Sequence, residues 1–159
     1  MIRLPGTITV AAVGKLRTPH WRAAQADYAE RLQRYTRLEL VEVRDRVGGR
    51  LSDEAAMAQE GEDLLNAVAG VPWTIALDAG GKQAGSVRFA RYLHDRIKVY
   101  RDVAFLIGGP VGLAPEVVEG CSDRLSLSLM TFPHELARVM LLEQLYRAMA
   151  ILSGEQYHK

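Results

Sequence analysis

Four histidines, one cysteine and three glycine-bearing loops are the residues of this chain best suited to chemistry. The histidines are His20, His94, His134 and His158, and no two share the spacing of a zinc motif. A single cysteine, Cys121, cannot complete a metal site or form an intramolecular disulfide. The residues therefore argue against a metal, and Cys121 reads as a small buried hydrophobe in a reducing compartment. His20 reads as structural, in a first helical turn. His94, among Arg91, Asp95 and Arg96, reads as part of a solvated helix face. His134 follows Pro133 at the start of a helix, where backbone N–H groups point outward, and His158 lies in the tail.

The glycine loops are Gly14-Lys15, Ala79-Gly80-Gly81-Lys82 and Gly108-Gly109-Pro110-Val111-Gly112. Glycine lets a ligand approach the backbone closely, and it also simply makes turns. The third loop follows a fully apolar strand and demands more than a turn does. It lacks the Lys-Ser/Thr pair of a Walker loop, and Gly14-Lys15-Leu16-Arg17 fails the dinucleotide fingerprint.

These residues need elements to hold them. Short β-branched or apolar runs read as strands over Thr7–Val13, Leu38–Val43, Trp73–Leu77, Asp102–Ile107 and Leu125–Leu129. Helices read from a Thr18 cap to Tyr35, from Ser52 to Ala69, from a Ser86 cap to Val99, from Ala114-Pro115 to Gly120 and from Pro133 to Leu152. Residues 79–83 read as a turn. Strands and helices alternate, so the fold class is α/β, with a mainly parallel sheet flanked by helices in one domain over residues 1–159. Ligands in such sheets bind beyond the carboxyl ends of the strands, where all three glycine loops fall. The last helix carries an apolar surface broad for covering one sheet, which suggests a partner subunit, with Arg138 and Arg147 for phosphate or ion pairs.

Lys and Arg number 20 against 19 for Asp and Glu, a net charge of +1. Nucleic-acid binding then requires local patches or a dimer that combines them. No stretch approaches a membrane span, and the N-terminus has no signal-peptide core, so a cytoplasmic protein is expected.

Taken in order, four segments resemble one known family. They are Phe105-Leu106-Ile107-Gly108-Gly109-Pro110-Val111-Gly112-Leu113, then Leu125-Ser126-Leu127-Ser128-Leu129-Met130-Thr131-Phe132-Pro133-His134, then Arg138 to Ala148, and Tyr157-His158-Lys159. The family is the RlmH family of SPOUT-class methyltransferases, which act on a pseudouridine of bacterial 23S rRNA. Val10 to Lys15 and Leu77-Asp78 extend the resemblance over nearly the whole chain.

The resemblance implies a SPOUT fold with a C-terminal trefoil knot and a homodimer with its active site at the subunit interface. It implies S-adenosyl-L-methionine as cofactor, held by Leu77, Gly108, Leu127, Ser128, Leu129, Met130, Thr131 and Phe132, with Pro133 behind. It implies methyl transfer to N3 of the pseudouridine within the assembled ribosome. N3 must lose a proton, and His158 is the first candidate for the base, with His134 second. Tyr157 would stack on or orient the flipped base, and Arg138 would hold phosphate. Val111 stands where family members often carry an acid, and Lys159 replaces a common arginine. The alternatives are a SPOUT enzyme acting on tRNA and a non-catalytic nucleotide- or ribosome-binding module.

Overall fold

A computed structural model describes residues 1–159. In chain order the elements are β1 (Thr7–Val13), α1 (Pro19–Leu32), β2 (Arg37–Val43), α2 (Asp53–Ala67) and β3 (Trp73–Lys82), then α3 (Ser86–Tyr100), β4 (Val103–Ile107), α4 (Pro115–Gly120), β5 (Asp123–Leu125) and α5 (His134–Leu152). The five strands form one sheet in the order β2-β1-β4-β3-β5, with every neighbour parallel. No helix is long and apolar enough to cross a membrane.

The strand sequences explain the layers. β4 is buried at every position, as a central strand covered on both faces must be. Its Val103, Phe105 and Ile107 join Ile8, Val10 and Ala12 of β1 in a core shared with α1, α3 and α5. Its Ala104 and Leu106 face the other way, into a smaller core with Leu64 of α2 and Val117 of α4. α5 buries Leu141, Leu142, Leu145, Ala148 and Met149 and packs between α1 and α3. The breadth of its apolar surface is thus largely intramolecular.

Three local expectations are corrected. First, β3 does not turn at residue 79 but continues to Lys82. A Cβ on Gly81 would lie 2.9 Å from the backbone of Arg124 and Leu125, so the glycines let β5 close against β3 where a turn was expected. Second, the last strand is Asp123–Leu125, and residues 126–133 are irregular. Ser126 Oγ donates to the carbonyl of Ser128 (2.9 Å), and Ser128 Oγ accepts from the N–H of Met130 (3.0 Å). These serines satisfy the backbone locally and compete with a sheet ladder. Third, Thr18 stands at the N-cap of α1 but makes no side-chain cap bond, and Ser86 lies inside α3 with Gly85 at its N-cap. Thr18 Oγ1 donates to Glu135 (2.6 Å) and Ser86 Oγ to Gln144 (2.7 Å), so both hydroxyls tie α5 to its neighbours. Ser52 does cap α2, accepting from the N–H of Ala55.

One buried acid lies between α2 and the sheet edge. Glu60 is 2% exposed; its Oε2 accepts from the N–H of Arg46 (2.8 Å), while Oε1 has no partner. Burial holds this carboxyl above the ordinary value of 4.5, against the backbone N–H of Arg46, which favours the charge. Folding therefore prefers the protonated form, so the ionised group weakens the fold at neutral pH and less so as the pH falls toward 4.5. We expect Glu60→Gln to melt at a higher temperature than the wild type at pH 7, with the gap narrowing toward pH 4.5. A lower melting temperature at pH 7 would show that the charge itself is needed.

Candidate active site

A cleft of about 230 Å³ opens at the carboxyl end of β4, beside residues 77–79 in the middle of β3. Of the eight residues expected around the cofactor, seven line it: Leu77, Gly108, Leu127, Ser128, Met130, Thr131 and Phe132. Leu129 does not line it and is 79% exposed. Asp78 and Ala79 extend the wall on the β3 side, and His134 and Ala137 bring in the first turn of α5. Asp78 was not among the expected site residues; its place directly after the apolar run Trp73–Leu77 is a signal that could have found it.

Backbone shape makes this cleft. A Cβ on Gly108 would lie 2.4 Å from the carbonyl carbon of Gly112 and 2.7 Å from the nitrogen of Leu113. The loop thus folds back on its own start, and Gly112 closes it with φ +83°. Leu127 to Phe132 form the facing wall without regular structure, so their amides and carbonyls are not consumed by a ladder. Met130 is 73% exposed at the rim, an apolar side chain with no protein partner covering it. A flat heterocycle with polar edges suits such walls, with main-chain groups at its edge and Met130 on its face.

The remaining candidates stand elsewhere. Tyr157 Oη donates to Glu143 Oε1 (3.1 Å), and its ring packs edge-on against Tyr146. Arg147 lies over the Tyr157 ring (4.8 Å), bonds Glu143 (2.6 Å) and sits 3.2 Å from Nδ1 of His158. Burial first, then the hydroxyl of Tyr28 and the carboxylate of Glu143, push the Tyr157 phenol up to about 12, so it stays protonated at neutral pH. Arg147 follows His134 by 13 residues in α5, which is about 20 Å along the helix axis. Within one chain the tail and the cleft do not meet.

Arg138 is 3% exposed. Its guanidinium donates to Glu42 (2.7 Å), to the carbonyl of Gly14 (2.7 Å) and to Gln25 (3.4 Å). The geometry corrects the expectation that it holds phosphate, because its charge is paired with Glu42 and both terminal nitrogens are bonded inside the protein, leaving only the buried Nε without an acceptor. Glu135, one turn earlier, accepts from the N–H of Arg17 (2.5 Å) and the hydroxyl of Thr18. The Thr18 hydroxyl, ahead of the opposing effect of burial, holds the Glu135 carboxyl below its ordinary range. Cys121 is half-buried, and burial pushes its thiol up, away from a nucleophile's range. No group of three or more His, Cys, Asp or Glu residues is placed to hold a metal ion.

Comparison with known proteins assigns this arrangement. Residues 7–158 match the family described as "Predicted SPOUT methyltransferase". The chain belongs to the SPOUT methyltransferase family. It is 46% identical to the ribosomal RNA large subunit methyltransferase H of Gloeobacter violaceus, covering 95% of this chain and 97% of that one. It is 40% identical to the protein of the same name from Clostridium beijerinckii, covering 96% and 99%. Among solved structures, a probable methyltransferase from Bordetella pertussis has a TM-score of 0.58 at 17% identity, covering 91% of this chain and 96% of that one. A methyltransferase candidate from Legionella pneumophila, solved with bound SAM, has a TM-score of 0.51 at 16% identity, covering 92% and 68%. At these identities the structures bear on the SPOUT fold alone.

Three substitutions probe the SPOUT site. Gly108→Ala should lower the unfolding free energy by about 1–3 kcal/mol, because the new methyl meets backbone, whereas Gly109→Ala meets only the side chain of Val13 at 3.0 Å and should cost less. Equal losses in urea titrations would mean that the loop does not need its first glycine. Arg138→Ala should cost about 2–3 kcal/mol by leaving Glu42 and the Gly14 carbonyl without their donor. A variant with unchanged stability and weakened ribosome binding would restore Arg138 as a phosphate ligand.

Proposed function

We propose that this protein is an S-adenosyl-L-methionine-dependent methyltransferase that methylates N3 of a pseudouridine in 23S rRNA of the assembled ribosome, in the cytoplasm. The observation that carries the reading is near full-length similarity to relatives named for large-subunit rRNA methylation, combined with a cleft whose walls coincide with the residues expected to hold the cofactor. Residues 1–159 act as one methyltransferase domain whose C-terminal part forms a trefoil knot.

The site suits the cofactor. Main-chain groups of Leu127 to Phe132 would bond the adenine, Leu77 and Met130 would pack against it, and the loop at Gly108 would leave room for close approach. Bound there, the cofactor supplies an electrophilic methyl group. The protein must then expose the target base, orient it and remove the N3 proton. His158 of a second subunit takes that proton, and Tyr157 beside it stacks on or orients the base. His134, at the cleft wall, is the second candidate for the base.

Two features support a homodimer with a shared active site. The tail is held on Glu143 and Arg147, about 9–15 Å along α5 beyond Ala137 at the wall of its own cleft, and neither Tyr157 nor His158 lines that cleft. The partly exposed side of α5, including Leu136, Ala137 and Met140, continues from the cleft toward the tail. Antiparallel pairing along that side brings each tail to the other subunit's cleft.

The test is methylation of ribosomes that lack the modification, followed by nucleoside mass spectrometry. The expected product is an N3-methylated pseudouridine, with far less product on naked rRNA, since a chain of net charge +1 has little general pull on free RNA. His158→Ala should lower kcat by about 10²–10⁴-fold while cofactor affinity in calorimetry stays within about twofold. Unchanged turnover removes His158 from catalysis and transfers the role to His134. Methylated tRNA beside unmodified ribosomes would replace the rRNA reading, and absence of cofactor binding would leave a non-catalytic module.

A further inference from the structure

Most arginines that approach the core are neutralised within the protein: Arg138 by Glu42, Arg46 by Asp63 and Arg147 by Glu143. A second cleft, on the outer edge of the sheet between α3 and β5, is different. It encloses about 460 Å³, and Arg88, Arg96 and Arg124 line it, along with Lys82. None of the three guanidinium groups has a carboxylate within ion-pair distance or donates a side-chain hydrogen bond. The one acid in the wall, Asp123, already accepts from Tyr92 Oη (2.9 Å) and lies 3.5 Å from Lys82 Nζ.

Arg96 is also held in place. Its guanidinium lies over Trp73 at 4.9 Å and Tyr92 at 5.4 Å, and Trp73 in turn stacks on Tyr100 at 4.8 Å. Trp73 Nε1 donates to Tyr92 Oη (2.9 Å), which locks the aromatic wall. The Nε of Arg96 is buried and has no acceptor. A guanidinium seated over aromatic rings, with no acceptor in the protein for its donors, is ready-made for an anion with several oxygens. Solvated surface arginines need neither the stacking nor the enclosure.

The cleft is also well placed. Strand β3 contributes Ile75 to this cleft and Leu77 to the methyl-transfer cleft. Leu125 lines one and Leu127 the other, a separation of about 7 Å of extended chain. A strand delivering a base to the first cleft must pass over neighbouring surface. The overall charge offers it no general attraction.

We propose that the α3–β5 cleft is a phosphodiester-binding site that grips the rRNA strand flanking the methylated nucleotide, with Arg96 as its stacked anchor and Arg88 and Arg124 as flanking contacts. It rests on the rRNA reading of the active site. It assigns recognition to residues that do not touch the cofactor.

The combined variant Arg88→Gln, Arg96→Gln, Arg124→Gln tests the site. None of the three is ion-paired, so the melting temperature should fall by no more than about 4 °C, from the lost contacts of Arg96 with Trp73 and Tyr92. Binding to ribosomes by sedimentation should weaken about 10- to 100-fold, and the slope of log affinity against log salt should flatten by about two to three units. The KM for ribosomes should rise similarly, with kcat and cofactor affinity within about twofold. Arg96→Lys keeps the charge but loses the stacked fork, and should weaken binding severalfold. Unchanged ribosome affinity and salt slope in the triple variant would overturn the proposal. So would tight binding of uridine monophosphate, lost in the triple variant while ribosome affinity stays the same, which would mark a small-ligand site. Conversion of the triple variant from dimer to monomer would mark a subunit contact and also overturn it. Wild-type protein that binds ribosomes through these arginines without methylating them would sink the functional reading but not the cleft; normal methylation with an unchanged KM in the triple variant would do the reverse.

Discussion

The buried guanidinium of Arg138 is the contact on which the working edge of this molecule depends. It joins the first turns of α5 to Glu42 near the end of β2 and to the carbonyl of Gly14 just past β1. Removing a charge this deep from water is costly, and only a near-complete set of acceptors offsets it. Once that set is met, α5 has one docking position. Glu135, gathering the N–H of Arg17 and the hydroxyl of Thr18, fixes the same turn from the other side. Every later feature of the edge follows from that placement.

The start of α5 is one wall of the methyl-transfer cleft, so the clamp sets its width. The opposite walls come from the loop at Gly108 and the irregular run to Phe132. Neither is held by a sheet ladder: one closes because glycine permits backbone contact, and the other stays irregular because its serine hydroxyls bond to neighbouring backbone. The far half of α5 carries the tail, with Tyr157 and His158 ordered on Glu143 and Arg147. A single rigid helix therefore carries the cleft wall at its first turn and the tail at its far end. The arginines divide accordingly. Those near the core are consumed by carboxylates, and those over the α3–β5 edge are left free for an external anion.

The sequence by itself determined the layer architecture, because a fully apolar Val103–Ile107 and an apolar Thr7–Val13, separated by helical periodicity, admit little but a covered parallel sheet. It also marked the Gly108 loop as a ligand wall, whereas the Leu127 to Phe132 run, whose first residues read as strand, entered only through the family resemblance. Composition and spacing alone went no further than a glycine-loop site beside a long helix, and the ordered resemblance supplied the chemistry. What only the tertiary structure decided were relations between distant residues. Arg138 reads as a surface phosphate ligand until Glu42, 96 positions away, is seen beside it. The turn expected at Gly80-Gly81 became strand because β5, more than 40 residues on, packs against it. Arg88, Arg96 and Arg124 look like ordinary helix and loop charges in a chain of net charge +1. Whether a charge is spent or free depends on which carboxylate the fold brings within a few ångströms, and that distance is not written in the local sequence.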